Sequence, residues 1–409
     1  MSGEPYFQQL FAERIGGPSY GKDTKIYKFE RIKRAKRETL AAQPGRKLLD
    51  FGIGENDEPA APSVREALKR EVDDPENRGY ADNGIQEYKE AAAKFMQEVF
   101  GVSLDPDTQI NHVIGSKSGL AMLPLVFIDP GDVTIMTVPG YPVAGTHTRY
   151  LGGEVYEAKL ERRNGFLPDL DSIPADIRRR AKLMVLNYPN SPTGAVAPPS
   201  FWEEAVAFAR EEHIVLVNDA AHALLAYGEL RSFLQTPGAC DVGIEIHSMS
   251  KGFHMIGWRL GFVAGHPLIV RALADVKDNC DSGQFKAIQK AACVALADHD
   301  IHRKAREKYR RRLEKLVAVL KLLGFDAHMP GGTYFLYVPA PRKIGGREFS
   351  TAEAAAEYLL RKYLVLTVPW DDAGPFLRFS VTYQAKDPSE EDALMEELRR
   401  RLSGASLGF

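Results

Sequence analysis

The sequence predicts an α/β fold, a mostly parallel sheet with helices on both faces, joined to a smaller α+β body. Three observations carry this. Short apolar runs alternate with helical stretches between His112 and Ala264, the pattern of strands linked by helical crossovers. After Pro267 helical periodicity dominates, and a few apolar runs return near the end. The chain has 409 residues, 44% of them apolar, which is too long for one ordinary core and implies two domains.

Taken in order, residues 1–48 are polar and basic, with a helical patch from Ile26 to Leu40. They read as an arm over a partner subunit or the chain's own surface, and as part of the smaller domain. Residues 49–298 are expected to form the large domain and 299–409 the C-terminal small domain. Leu48 to Gly54 reads as a strand running into a glycine turn, Pro62–Glu71 as a helix with proline in its first turn, and Gly79–Gly84 as a loop. Gln86–Phe100 has helical spacing and Gly101 suits its stop. Strands are expected at His112–Gly115, Val133–Val138, Glu154–Ala158, Leu183–Asn187, Ile214–Asn218, Val242–His247 and Gly261–Ala264. Helices are expected at Lys117–Phe127, Tyr141–Leu151 and Ser200–Glu212. From Asp300 to Leu323, Tyr309, Leu313, Leu316, Leu320 and Leu323 form an apolar stripe, and Arg303, Arg306, Arg310, Arg311 and Arg312 are assigned to the solvated face. Phe325–Val338, Tyr363–Thr367 and Leu377–Tyr383 read as strands of the small domain, closed by a helix from Glu390 to Leu402.

Composition narrows the function. The 53 basic and 55 acidic side chains give a net charge of −2, which fits neither a nucleic-acid binder nor a membrane-surface protein. Cys240, Cys280 and Cys293 form no C-x-x-C pair and fit reduced thiols in the cytoplasm. The N-terminus lacks a signal-type apolar core, and no run approaches the roughly 18 apolar residues of a membrane span. Nucleotide P-loops, complete G-x-G-x-x-G fingerprints, H-E-x-x-H, G-x-S-x-G and cysteine–histidine metal clusters do not occur.

In such sheets ligands sit beyond the carboxyl ends of the strands, where Ser116, Asn187–Gly194, Asp219 and Ser248–Lys251 fall. A lysine ending a buried strand is costly to desolvate, and a desolvated lysine has a depressed pKa. Its neutral amine can form a Schiff base with an aldehyde, though a lysine on a surface turn would look the same alone. Ser248, Ser250 and Arg259 suit a phosphate, and an aldehyde plus a phosphate describes pyridoxal 5′-phosphate (PLP). Gly115-Ser116-Lys117 stands at a strand-to-helix junction, where backbone N–H groups suit a phosphate and where serine also serves as a simple cap. Asp219 is either a structural cap or the carboxylate that keeps a pyridine nitrogen protonated. Arg378, within the apolar run Leu377–Ser380, needs an anion. An amino-acid carboxylate and a structural ion pair both meet that need.

With Tyr188-Pro189-Asn190-Ser191-Pro192-Thr193-Gly194, Asp219, Ser248-x-Ser250-Lys251 and Gly257-x-Arg259-x-Gly261 in this order, the chain resembles the class I/II aminotransferases, PLP enzymes of fold type I, over essentially its whole length. Further stretches are similar to the diaminopimelate-using branch of that family: Phe51-Gly52-Ile53-Gly54 followed by Glu58-Pro59, Gly79–Gly84, Pro139-Gly140-Tyr141-Pro142, Asp278–Phe285 and Val368-Pro369-Trp370-Asp371. The resemblance implies that Lys251 joins the cofactor and moves the substrate proton, that Asp219 pairs with the pyridinium, and that Tyr141 flanks the ring. It implies a phosphate held by Ser116, Lys117, Ser248, Ser250 and Arg259, with Tyr80 from a second subunit. Arg378 and the Gly54 backbone would take the α-carboxylate, Asn279 would come from the neighbour, and Tyr27 is a guess for the far end of the substrate. The implied assembly is a homodimer. The implied reaction is amino transfer between LL-diaminopimelate and 2-oxoglutarate, giving tetrahydrodipicolinate and glutamate in lysine synthesis. Two positions depart from the family: Ser191 replaces an asparagine and His222 a tyrosine, both of which hydrogen-bond the cofactor's phenolic oxygen. A transaminase or lyase for another amino acid, or a non-catalytic binding protein of the same fold, is therefore kept beside the first reading. A histidine at 222 also predicts an activity that falls at acidic pH as the imidazole charges.

Overall fold

The computed structural model of the chain describes residues 6–22 and 28–409. After helix α1 (Lys28–Ala42), strand β1 (Leu49–Asp50) leads into α2 (Pro62–Asp73) and α3 (Gln86–Phe100). A seven-stranded sheet follows, built from β2 (Ile110–Val113), β3 (Val133–Val138), β4 (Glu154–Lys159), β5 (Ala181–Leu186), β6 (Val215–Asp219), β7 (Gly243–Ser248) and β8 (Gly261–Gly265). Its strand order is β2-β8-β7-β6-β5-β3-β4, and β8 runs antiparallel to both neighbours while the other pairs are parallel. The interleaved helices are α4 (Ser116–Phe127), α5 (Val143–Tyr150), α6 (Ala175–Arg180), α7 (Pro199–Glu211), α8 (Ala239–Val242) and α9 (Met249–Gly252).

Side chains alternate between the two faces of a strand, and here both faces are buried. On β5, Leu183 and Val185 pack with Leu120 and Leu123 of α4, while Met184 and Leu186 pack with Phe201 and Trp202 of α7. On β8, Val263 faces the first of these cores and Phe262 the second. Burial on both faces explains why these strands read as continuous apolar runs rather than as alternating ones.

The chain continues through α10 (Pro267–Lys277), α11 (Lys286–Ala297) and α12 (His299–Leu322) into a second body. Its strands are β9 (Phe335–Pro339), β10 (Lys343–Ile344), β11 (Arg347–Glu348), β12 (Val365–Leu366), β13 (Val368–Trp370), β14 (Phe376–Ser380) and β15 (Leu407–Gly408), with helices α13 (Ala352–Tyr363) and α14 (Pro388–Ser403). Order β13-β14-β9 forms an antiparallel sheet.

Three expectations change. The boundary at residue 49 precedes β1, yet β1 pairs in parallel with β12, and Leu49 and Phe51 pack into the C-terminal core. The expected strand from Phe325 begins only at Phe335, because Pro330, Gly331 and Gly332 interrupt it. Arg312, assigned to the solvated face of α12, is 1% exposed. Among the described residues, no helix is long and apolar enough to cross a membrane.

Candidate active site

The carboxyl ends of β5, β6 and β7 open onto a cavity of about 1160 Å³ that also reaches Gly54 and β14. β7 ends in Ser248, whose hydroxyl accepts the Ser250 N–H at 3.1 Å and so starts the single turn α9. That turn presents Lys251, whose Nζ donates to the Gly54 carbonyl at 3.2 Å and lies 5.6 Å from the centroid of the Tyr334 ring. The Lys251 carbonyl accepts Asn56 Nδ2 at 2.9 Å.

Asp219 closes β6, 4% exposed. Its carboxylate accepts the Ala221 N–H at 3.2 Å. Burial pushes its pKa up to about 6, against the opposing pull of that N–H, Lys251 and His247. Asn187 braces this corner: its Nδ2 donates to the Asp219 carbonyl at 2.8 Å and its Oδ1 accepts the Ser191 N–H at 2.9 Å.

A cradle forms where α4 begins. Gly115 has φ +73°, and a Cβ there would lie 2.4 Å from Arg259 Nη2. Only glycine lets the guanidinium lie across the start of the helix. Arg259, itself at φ 56°, donates Nη1 to the Ile256 carbonyl at 2.9 Å. Ser116, Lys117, Ser248 and Ser250 line the same cavity. Hydroxyls, a guanidinium and helix N–H groups on one wall make a donor set for a phosphate.

The opposite wall carries Arg378 from β14, 5% exposed. Its guanidinium lies 4.0 Å from the Phe335 ring centroid, and Nη2 reaches the Gly52 carbonyl at 3.4 Å. His222 is buried edge-on against Tyr334 and Phe335, with centroids 5.4 and 5.7 Å away. Its Nδ1 has no hydrogen-bond partner among the described residues. Burial, with the charges of Lys251 and Arg378 adding to it, pushes its pKa well below the usual imidazole range. An acid limb from His222 is therefore expected at lower pH than an ordinary imidazole would give.

Twelve residues singled out from the sequence line this one cavity: Gly54, Ser116, Lys117, Tyr141, Ser191, Asp219, His222, Ser248, Ser250, Lys251, Arg259 and Arg378. Tyr80 and Asn279 do not. Tyr80 is 83% exposed on its loop, and Asn279 is exposed with Nδ2 bonded to the Asp275 carbonyl. Tyr27 lies outside the described residues. Phe335, which the sequence does not single out, also lines the cavity, as do Asn187 at its strand end and Trp370 of the stretch 368–371. The asparagine stands at the end of an expected strand and at the head of the Tyr188–Gly194 motif.

The residues present fit PLP. They supply an amine, a buried carboxylate whose raised pKa a cation would relieve, a phosphate cradle cleared by Gly115, and an unpartnered buried imidazole nitrogen. Comparison with known proteins agrees. Residues 46–395 match the family described as aminotransferase class I and II, and the chain belongs to that family of PLP-dependent enzymes. It is 52% identical to the LL-diaminopimelate aminotransferase of Methanocaldococcus jannaschii over 99% of this chain and 100% of that one. It is 39% identical to the enzyme of the same name from Syntrophobacter fumaroxidans over 91% of this chain and 96% of that one. Among solved structures, substrate-bound BacF from Bacillus subtilis superposes with a TM-score of 0.85 at 30% identity, covering 95% of this chain and 97% of that one.

Two outcomes follow from these environments. In cofactor-free protein the folded state holds the Asp219 proton more tightly than the unfolded chain does, so its contribution to stability falls as pH rises from about 4 to 6. Asp219→Asn then stabilises the cofactor-free fold at pH 7 to 8 by up to about 3 kcal/mol, at about 1.4 kcal/mol per pKa unit. The gain disappears near pH 4, as urea titrations at the two pH values will show. His222→Tyr leaves the acid limb of the pH–rate profile in place, which a profile from pH 5 to 8 will check.

Proposed function

We propose that the chain transfers an amino group between LL-diaminopimelate and 2-oxoglutarate, yielding tetrahydrodipicolinate and glutamate. One observation carries this reading: Lys251, Asp219, Arg378 and the Ser116–Arg259 cradle converge on one cavity in a chain 52% identical, end to end, to an LL-diaminopimelate aminotransferase. PLP bound there supplies an aldehyde and an electron-accepting ring. Arg378 takes the substrate α-carboxylate through its guanidinium fork, with Gly54 alongside. Lys251 Nζ would take the proton from the substrate Cα and hand it to the cofactor carbon that bore the aldehyde, the 1,3-shift that amino transfer requires. Asp219 holds a proton on the ring nitrogen, and Tyr141, Ser191 and His222 keep the ring oriented. Ser116, Lys117, Ser248, Ser250 and Arg259 hold the phosphate. Phe335, stacked under Arg378, keeps water from the ion pair and strengthens it.

The chain works as a homodimer in this reading. Tyr80 and Asn279 lie outside their own subunit's cavity, which suits side chains lent to a neighbour. Exposed Tyr6, Phe7 and Leu10 suit an arm laid across it. Residues near 49–298 form the cofactor-holding domain, and the two ends of the chain form the other. Three free cysteines support a cytoplasmic site of action. Ser191 and His222 favour a second reading, in which the enzyme acts on another amino acid.

Borohydride treatment of the purified enzyme is expected to fix a cofactor-sized mass to wild type and none to Lys251→Ala, read by intact mass spectrometry. Stopped-flow half-reactions with LL-, meso- and DD-diaminopimelate and glutamate are expected to show the fastest spectral change with the LL isomer. Lys251→Ala slows it by roughly 10²–10⁴-fold. A fast response to a different donor with none to LL-diaminopimelate selects the second reading.

A further inference from the structure

Arg312 of α12 is fully enclosed, and each of its three side-chain nitrogens is engaged. Nε donates to Glu391 Oε1 at 2.8 Å, Nη1 to Asp57 Oδ2 at 3.0 Å and to the carbonyls of Val381 and Tyr383 at 3.0 and 2.9 Å, and Nη2 to the Ala385 carbonyl at 3.4 Å. Asp57 also accepts Lys308 Nζ at 2.6 Å and the Tyr309 hydroxyl at 3.1 Å. A buried ion cluster is a poor adhesive, since apolar side chains of equal volume hold a fold as well or better. What a guanidinium fork adds is a fixed geometry among the groups it touches.

Apart from Glu391 of α14, those groups belong to two segments running side by side. The Ser380 N–H donates to the Phe51 carbonyl at 2.7 Å, Thr382 Oγ1 to the Ile53 carbonyl at 2.7 Å, and Gln384 Nε2 to the Asp57 carbonyl at 3.2 Å. Arg312 clamps the far end of this pair, at Asp57 and Val381–Ala385. The near end carries Gly54 and Arg378 on the cavity wall. Between them, Asn56 Nδ2 ties the first segment to the Lys251 carbonyl and the Tyr309 hydroxyl.

We propose that the Asp57–Arg312 pair is a positioning device for substrate binding. It fixes the spacing of Gly54 and Arg378, and through it the fit of an amino acid's α-carboxylate, without touching substrate. The inference rests on the reading of Arg378 and Gly54 under Proposed function and deepens it.

Asp57→Asn keeps the side chain's shape and removes its charge. In the cofactor-loaded enzyme it is expected to raise KM for the amino acid about tenfold while kcat stays within about threefold and cofactor affinity is unchanged. Hydrogen exchange of the amides at 52–56 is expected to quicken while those of β3 do not. Glu391→Gln, which leaves the Asp57 contact in place, shifts KM the same way by a smaller factor and serves if the first variant fails to fold. An unchanged KM with unchanged exchange in a folded variant overturns the proposal. So does a joint loss of kcat, cofactor affinity and thermal midpoint, the mark of a merely structural role. Arg378→Lys separates the two levels of inference. If it raises KM and Asp57→Asn does not, the positioning role alone fails. If wild type turns over no amino acid and Arg378→Lys changes nothing, the functional reading fails and the positioning role with it.

Discussion

The carbonyl oxygen of Gly54 accepts Lys251 Nζ at 3.2 Å and the Tyr334 hydroxyl at 2.8 Å, and the two bodies of the molecule meet on it. Lys251 arrives from the central sheet, Tyr334 from the approach to β9, and Gly54 from the strand that pairs with β12. None of the three is near another in sequence. The site is therefore a product of tertiary structure, and its geometry is only as firm as the packing of the segment after β1 against the end of β14. The backbone–backbone and side-chain ladder from Phe51 to Asp57 gives that packing a register.

Two buried charged groups face the cavity. Asp219 is buried with its pKa raised, and Arg378 is buried on an aromatic face. Each sits in surroundings that favour a ligand of opposite charge over water. Away from the cavity, the buried Asp57 and Glu391 close on Arg312.

Much of the architecture was legible because its signals are local. Strands buried on both faces leave continuous apolar runs, and the residues just past them, Asp219 and Ser248–Lys251, announce themselves by chemistry out of keeping with those runs. What depended on distant partners was not legible. Arg312 lies in a helix whose arginines alternate with apolar residues, and nothing local distinguishes it from Arg310, which is exposed and paired with Glu314. Its burial is decided by Asp57 and Glu391, 255 and 79 positions away. The surroundings of His222 are hidden for the same reason: residue type sets the ordinary pKa, but enclosure and the neighbouring Lys251 and Arg378 lower it. The interruption at Pro330–Gly332 was readable, and the run of apolar residues around it outweighed that signal.

The departures at Ser191 and His222 are easier to place against this geometry. Asn187 has both ends of its amide engaged, by the Asp219 carbonyl and the Ser191 N–H, so the loop carrying Ser191 is held by backbone contacts whatever side chain it bears. His222 keeps a neutral ring with one nitrogen unpartnered, and a neutral imidazole either donates or accepts there according to its tautomer. A tyrosine hydroxyl would also donate. The imidazole differs in that its neutrality is maintained by enclosure and by the two cations, Lys251 and Arg378, that define the site. The substitution therefore ties one wall of the cavity electrostatically to the other.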